Sequence, residues 1–359
     1  MLLPRLKMDV VAPCLAPAGP FRGGNICIVE KLLGGPAPGC DRSLGFAEFV
    51  AVQFQQQADG SVRLSAGCEE RQTSATPLVG TGVLLPLAHQ WDADGADCPS
   101  RHAPVPSADV AADPRAAPAL LLGACVLVVA DEEGADGETV SRVLLTRRAK
   151  HMRTFPGAWV APGGGVDQDE AAVDAARREV KEETGIDLSR ESLTPLAAWE
   201  SAFPTSVAAC HEAGGLKRQH IVVYYVARIS GELAATARQG LDWGEVTADG
   251  VGAEVDCACW LPLPPQAKNG GGAHQVVREI GGGEEAVSDA LGLTAGASVE
   301  ALLGDGSVMG FVDAGVELRG IWPNEHGGGV SRGVLFALAM LARSQGGSVL
   351  VPAKFSHKL

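Results

Sequence analysis

The stretch that decides the fold reads GGVDQDEAAVDAARREVKEETGI and spans residues 164–186. Its middle, Ala171–Glu183, is rich in Ala, Glu, Arg and Val and contains no Pro or Gly, so it predicts a helix. Gly185 stands where such a helix would end, and Asp167 or Asp169 could cap its start. We therefore expect a glycine-rich loop that leads directly into one helix.

Three glutamates of the predicted helix, Glu179, Glu182 and Glu183, are spaced i, i+3 and i+4, so their carboxylates share one face. Anions this close repel one another unless a cation lies among them, and carboxylate oxygens suit Mg²⁺ or Mn²⁺. A solvated helix whose charges pair with nearby cations would show the same cluster. The glycine-rich entry at 162–165 and the fixed spacing of the surrounding residues favour the metal site over that alternative.

Nine positions of the stretch match the pattern G-x5-E-x7-R-E-U-x-E-E-x-G-U, in which U is a bulky aliphatic residue. This pattern is the Nudix box, and the chain resembles the Nudix hydrolases, which cleave nucleoside diphosphates linked to another moiety. The resemblance implies an α/β/α sandwich with a mixed sheet, metal binding by the three glutamates, and a salt bridge between Glu170 and Arg178. It also implies catalytic roles for six box residues: Gly164, Glu170, Arg178, Glu179, Glu182 and Glu183.

Residues flanking the box resemble one branch, the nucleoside diphosphate-linked moiety X motif seventeen type. The segments that carry this resemblance are 144–149, 153–160, 199–201 and 216–222. The branch is related to the NADH-diphosphatase group, and activity toward dinucleotides and capped RNA is attributed to it. The resemblance therefore implies an NAD(H)-type dinucleotide or a capped RNA end as substrate, with CoA and dinucleoside polyphosphates left as alternatives.

Six side chains outside the box are candidates for contact with the substrate. They are Arg147, Arg148, Arg153, Trp199, Lys217 and Arg218. Guanidinium groups bind phosphate oxygens, and an indole ring can stack on a base. A solvated strand end or a position in the core would use the same residue types, so both interpretations stay open here.

The candidates for the residue that accepts the proton of the attacking water are a glutamate of the box, Glu200 and Glu254. In this hypothesis the metal polarises a phosphoryl oxygen and activates the water. A nucleotide-binding sensor or scaffold that kept the fold and lost turnover is the alternative from another class. Retention of all three box glutamates favours the enzyme.

Composition limits the partners. The net charge of −14 argues against broad binding of duplex nucleic acid, although a bound metal could still create a nucleotide site. Nine scattered cysteines without a C-x-x-C pair are expected to be reduced thiols. The sequence contains no apolar run long enough to span a membrane. The final tripeptide His-Lys-Leu is a degenerate form of a peroxisomal signal, so we expect the cytoplasm first and the peroxisome second.

Changes in residue composition along the chain predict six segments: a poorly ordered N-terminal segment (1–45), a small β-rich region (46–90), a linker (91–118), the Nudix domain (119–265), a flexible Gly/Ala-rich segment (266–307) and a C-terminal extension with a helix (308–359). Apolar runs and alternation predict strands at 46–57, 61–65, 79–87, 120–130, 140–147, 193–203, 220–229 and 254–261. An acidic turn is expected at 131–139 and a second helix at 332–343.

Overall fold

The structure is a computed structural model of the 359-residue chain. It describes residues 8–11, 50–56, 62–67, 83–89, 119–133, 139–167, 170–204, 206–213, 218–242, 253–263, 296–303, 308–319 and 323–344. The predicted linker at 91–118, the C-terminal tripeptide, Asp169 and Lys217 lie outside these residues.

The described elements are strands and short helices. The strands are β1 (Met8–Val11), β2 (Val50–Gln56), β3 (Val62–Gly67), β4 (Val83–His89), β5 (Ala119–Glu133), β6 (Thr139–Arg148), β7 (Trp159–Val160), β8 (Gly163–Gly165), β9 (Leu193–Phe203), β10 (Arg218–Ile229), β11 (Val255–Pro262), β12 (Ser298–Leu303) and β13 (Val308–Asp313). The helices are α1 (Ala172–Thr184), α2 (Val207–Glu212), α3 (Gly231–Gln239), α4 (Ala314–Glu317) and α5 (Arg332–Ser344). None of these helices is long and apolar enough to cross a membrane.

The chain forms two compact units, each assembled from separated stretches. The first comprises Met1–Gly123, Gly165–Ala172 and Ala197–Val223, and the second comprises Ala124–Gly164, Val173–Leu196 and Tyr224–Leu359. In the first unit β2 pairs antiparallel with both β3 and β4, and these three strands correspond to the strands predicted at 46–57, 61–65 and 79–87. β1 runs parallel to β3, and β4 runs parallel to β9, so the strand directions are mixed.

In the second unit β6 lies between β5 and β11 and is antiparallel to both. The short β7 also pairs with β6, and β8 pairs with β5. β12 extends the sheet from β11, and β13 extends it from β12, again antiparallel. Strands in mixed directions accompanied by helices confirm the predicted α/β class.

The core of the second unit is apolar because its central strands carry consecutive buried apolar residues, such as Val126 to Ala130, and because the helices pack apolar side chains against them. Its largest fully buried side chains are Trp159, Trp260, Phe336, Leu127, Leu144, Leu145 and Leu188. On α1 the side chains of Ala176 and Val180 are fully buried. α5 follows the predicted helix closely and buries a nearly continuous apolar run from Val334 to Leu338.

Three predictions for the chain outside the box were wrong in part. The expected turn at 131–139 begins later, because β5 continues through Glu133. Asp131 accepts hydrogen bonds from the Ser141 hydroxyl and from Arg228, so its charge is compensated inside the sheet. Within the segment predicted to be flexible, Ser298–Leu303 form a strand, which buries Val299, Ala301 and Leu302. The β1 strand likewise falls inside the segment predicted to be poorly ordered, and the linear segment boundaries otherwise stay predictions.

Candidate active site

The box helix α1 ends as the sequence predicted, and the cause is local. Gly185 has φ +73, in the left-handed region that glycine adopts without strain, and its N–H donates to the Lys181 carbonyl at 2.9 Å. A Cβ at this position would lie 2.9 Å from Cβ of Asp242. The Thr184 carbonyl accepts from the Asp242 N–H at 3.1 Å. The C-terminus of α1, where the glutamates lie, is therefore fixed by backbone contacts.

Glu183 is the buried member of the three glutamates and is 7% exposed. The Gly163 N–H donates to Glu183 Oε2 at 3.0 Å and so ties the helix to the glycine-rich entry. Burial, with a smaller contribution from the Glu179 charge, raises the pKa of Glu183 to about 8, against the opposing hydrogen bond from Gly163. A carboxylate held in this way requires a proton or a cation close by.

Glu179 sits directly against the glycine-rich entry. A Cβ on Gly164 would lie 2.5 Å from Cδ and Oε1 of Glu179, so only glycine lets the backbone approach this carboxylate. A Cβ on Gly163 would collide with the Ala124 carbonyl oxygen and with Cys125. The space that Gly163 and Gly164 leave is therefore taken by Glu179 and by β5.

Arg178 provides the positive charge nearest two of the glutamates. Its Nη1 donates to Glu179 Oε1 at 2.8 Å and to Glu182 Oε2 at 3.1 Å. Burial raises the pKa of Glu179, opposed by the hydrogen bond and charge of Arg178 and assisted by Glu182 and Glu254. One guanidinium nitrogen thus bridges two carboxylates, while Glu183 is held separately by Gly163.

The donors suit a hard divalent cation in their chemistry, since Glu179, Glu182 and Glu183 are carboxylates within five residues of one helix. Burial raises the pKa of two of them, which a bound cation would reverse. Within the described part of the chain, however, no three His, Cys, Asp or Glu side chains converge as a ready-made set of metal ligands. In this structure Glu179 and Glu182 accept hydrogen bonds from Arg178, and Glu183 accepts one from Gly163, so a cation held by all three would compete with the guanidinium.

Arg148 and Glu254 contribute one positive and one negative charge near the box glutamates. Arg148 Nη2 lies 3.9 Å from Glu254 Oε2, and the Ala149 N–H donates to the Glu254 carbonyl at 2.8 Å. The positive charge of Arg148 lowers the pKa of Glu183, whereas the negative charge of Glu254 raises it. Both residues were predicted from sequence as site residues, and the structure brings them into the electrostatic environment of the box.

The side chain of Arg147, the neighbour of Arg148, contacts residues other than the box glutamates. Its Nε donates to Asp256 Oδ1 at 2.7 Å, its Nη1 lies 3.2 Å from Glu317 Oε2, and its guanidinium carbon stands 5.8 Å from the centre of the Trp159 ring. Burial would lower the pKa of Arg147, but the hydrogen bond to Asp256 and the charges of its partners raise it. In this structure Arg147 joins β6, β11 and α4 as a structural cation, and its contact with phosphate stays a prediction.

The remaining predicted site residues are placed as follows. Arg153 is exposed on the loop between β6 and β7. Glu170 lies in the first unit, where its carboxylate accepts from the Asp167 N–H at 3.1 Å. Trp199 is 5% exposed, which favours the core interpretation over base stacking. Glu200 and Arg218 belong to strands of the first unit, and their roles stay predictions, as does that of Lys217.

Sequence reasoning missed Cys125 as a neighbour of the site. Desolvation raises the pKa of its thiol far above the ordinary value, and Glu183 and Glu179 raise it further. The thiol is therefore neutral and adds no negative charge behind Glu183. Cys125 lies in an apolar strand, so nothing in the sequence indicated that it neighbours the site. Asp256 and Glu317 could have been recognised from the sequence only as acidic residues without an assigned partner.

Comparison with known proteins shows what this part of the chain is similar to. Residues 120–264 match the NUDIX domain family, a range that contains the box, its glycine-rich entry, Arg148 and Glu254. This stretch of the chain is therefore similar to the NUDIX domain, as its box predicted. The resemblance to the motif-seventeen branch is also confirmed by the relatives.

One relative is a Danio rerio protein named m7GpppN-mRNA hydrolase NUDT17, which is 44% identical over 91 residues, or 25% of this chain and 29% of the relative. Another is the nucleoside triphosphatase NudI of Escherichia fergusonii, 36% identical over 83 residues, or 23% of this chain and 55% of the relative. The match thus spans less than two thirds of either relative. A crystal structure of a MutT/nudix family protein from Enterococcus faecalis covers 62% of this chain and 60% of its own, at 18% identity and a TM-score of 0.31.

Proposed function

We propose that this protein is a diphosphohydrolase that uses Mg²⁺ or Mn²⁺ to cleave the diphosphate bond of a nucleoside diphosphate linked to another moiety. The observation that carries the proposal is Glu183, a buried carboxylate whose pKa burial raises to about 8 and which lies within the electrostatic reach of Glu179 and Glu254. An arrangement of acids that costs stability without a cation is typical of a site that functions with one.

The residues that would hold the ion are Glu179, Glu182 and Glu183. When bound, a divalent ion supplies polarisation of a phosphoryl oxygen and activation of an attacking water. Arg178 would then be released from its bridge between Glu179 and Glu182, since the ion carries the greater charge. Gly163 would keep Glu183 oriented through the same N–H that it donates in this structure.

Glu254 is the candidate general base that the geometry supports. Its side chain is 58% exposed, so water reaches it, and its charge acts on both Glu179 and Glu183. The water oxygen would form a bond to one phosphorus, its proton would pass to the carboxylate, and the bond from that phosphorus to the bridging oxygen would break. The products are two phosphorylated halves.

For the substrate we favour a capped RNA end, because the relative of 44% identity is named for the hydrolysis of m7GpppN-mRNA. An NAD(H)-type dinucleotide is the second choice, and CoA and dinucleoside polyphosphates follow. The net charge of −14 is unfavourable for a long nucleic acid, so recognition is expected to be confined to the cap and its first nucleotides.

The deciding experiment is a panel of m7GpppG-capped RNA, NADH, CoA and Ap4A, each incubated with Mg²⁺, with Mn²⁺ and with EDTA. Products are identified by mass spectrometry in water enriched in oxygen-18. We expect the label on a phosphate product and no cleavage in EDTA. Label on a sugar or base carbon would show that the reaction class is wrong.

The catalytically silent sensor is tested by the same panel. Such a protein would bind one of the four compounds, as measured by equilibrium dialysis, and would leave it intact with either metal. The variant Glu182→Gln separates the two functions further: it should abolish turnover in an enzyme, whereas nucleotide affinity should be retained within a few-fold.

A further inference from the structure

The loop between β6 and β7, residues 149–158, is held in one conformation by its own backbone. The Arg148 N–H donates to the Ala158 carbonyl at 2.9 Å, and the Gly157 N–H donates to the Arg148 carbonyl at 2.9 Å. Within the loop, the Met152 N–H donates to the Ala149 carbonyl at 3.0 Å and the Ala158 N–H to the Phe155 carbonyl at 3.1 Å. A side chain at the tip of this loop is therefore presented in a defined position.

That tip carries Phe155, which has φ +52. Among the described residues it is the one with a positive φ that is not glycine. The left-handed region is strained for a bulky residue, and glycine would occupy it without cost. The phenyl ring is also 43% exposed, so burial does not repay the strain. Strained residues of this kind concentrate at binding and catalytic sites.

The loop is anchored to the charges of the active site. Arg148 Nε donates to the carbonyl of Thr154, the residue before Phe155, at 3.0 Å. The same guanidinium lies 3.9 Å from Glu254, and the Ala149 N–H at the start of the loop donates to the Glu254 carbonyl. The exposed ring is thus attached through one residue to the cation that faces the candidate catalytic carboxylates.

We propose that Phe155 is a binding residue that stacks on the aromatic base of a nucleotide whose phosphates lie at Glu179, Glu182 and Glu183. The inference rests on the proposed function and deepens it. A flat apolar ring recognises a base by its face, and stacking of this kind is tolerant of base identity. The strain at φ +52 is then explained as the means of holding the ring outward.

The experiment measures base-dependent and base-independent binding separately. Equilibrium dialysis in Mg²⁺ gives the Kd of 7-methylguanosine 5′-diphosphate and of ADP, which carry a base, and of inorganic pyrophosphate, which does not. The variants are Phe155→Ala, Phe155→Leu and Phe155→Tyr. The matched control is Phe311→Ala, because Phe311 is an exposed phenylalanine, 70% accessible, on β13 of the same unit.

We expect Phe155→Ala to raise the Kd of at least one of the two nucleotides about tenfold, while the Kd of pyrophosphate stays within twofold. Phe155→Tyr should restore the wild-type value, Phe155→Leu should not, and Phe311→Ala should change nothing. Full binding by Phe155→Leu, an equal loss for pyrophosphate, or no nucleotide binding by the wild type would each overturn the inference.

Measuring the turnover of m7GpppG tests the proposed function separately from the stacking role of Phe155. If the wild type binds nucleotide but cleaves nothing, the diphosphohydrolase proposal fails, while the Kd values still decide the role of Phe155. If cleavage proceeds and Phe155→Ala has a normal Kd and KM, the stacking inference fails and the proposed function stands. A stacking role predicts a raised KM with kcat within twofold, which a general loss of folding would not produce.

Discussion

Substitution of Gly164 by Ala is the sharpest perturbation of the site that the structure offers. The added Cβ would lie 2.5 Å from Cδ and Oε1 of Glu179 and 2.6 Å from Oε2, whereas ordinary contact begins at 3.4 Å. The clashing atoms are the end of a flexible side chain, so the carboxylate of Glu179 must move by about 0.9 Å and the backbone can stay in place. Gly164 has no positive φ, so alanine adopts its conformation without strain.

A displacement of about 1 Å in a catalytic group typically costs on the order of 100-fold in rate. We therefore expect Gly164→Ala to lower kcat by about 100-fold and to weaken the affinity for Mn²⁺, with the thermal midpoint within a few degrees of the wild type. Folding should be nearly unaffected, because alanine also restricts the unfolded chain and gains about 0.4–1 kcal/mol on that account.

The matched control is Gly165→Ala. A Cβ at Gly165 would meet nothing within 4 Å, and its φ is likewise not positive. The assay is hydrolysis of the nucleotide that the panel identifies, at saturating Mn²⁺ and then over a Mn²⁺ titration. Wild-type kcat in Gly164→Ala, or equal losses in the two variants, would refute the argument that the glycine serves to seat Glu179.

Three further predictions concern charge. In urea unfolding, a double-mutant cycle of Arg147→Gln and Glu317→Gln should give a coupling of roughly 1 kcal/mol, and additive losses would mean that their ion pair contributes nothing. Glu254→Gln should lower kcat by at least about 100-fold and Glu200→Gln should not; the reverse order would exchange their roles. Folding raises the pKa of Glu183 from 4.5 to about 8, so between these values the native protein in EDTA binds more protons than the unfolded chain. Its free energy of unfolding should fall as pH rises through that window, by up to about 5 kcal/mol, and melts of Glu183→Gln between pH 5 and 9 should lack that slope.

The sequence predicted correctly those helices and strands in which a single helix or strand pattern runs without interruption. α1 differs from its expected range by one residue at each end, because the residues 171–183 favour helix and Gly185 stops it. β9 was predicted to the residue, and β10 and β11 within two. β12 and β13 were missed, since short apolar runs next to a Gly-rich segment have no local signal. What defines β12 is its antiparallel pairing with β11, about 40 residues earlier in the chain.

The site was predicted as a set of residues but not as a geometry. The spacing of the glutamates gave their common helix face, yet it could not tell that Glu183 is 7% exposed while the side chain of Glu182 is 58% exposed. Arg147 and Arg148 looked equivalent as adjacent cations. On a strand, neighbours point to opposite sides, so only one of them can face the box, and the sequence does not say which.

The charges of the site can be balanced in more than one way, and these ways exclude one another. Glu183 can carry a proton, as its raised pKa allows near neutral pH, and Arg178 can bridge Glu179 and Glu182. A divalent ion held by Glu179, Glu182 and Glu183 would compete with both arrangements, because it would need all three carboxylates ionised. Binding of the ion should therefore release a proton from Glu183 and break the hydrogen bonds of Arg178 with Glu179 and Glu182. The affinity for the ion should consequently rise with pH up to about 8, so the site gains its full negative charge only when a cation is present to compensate it.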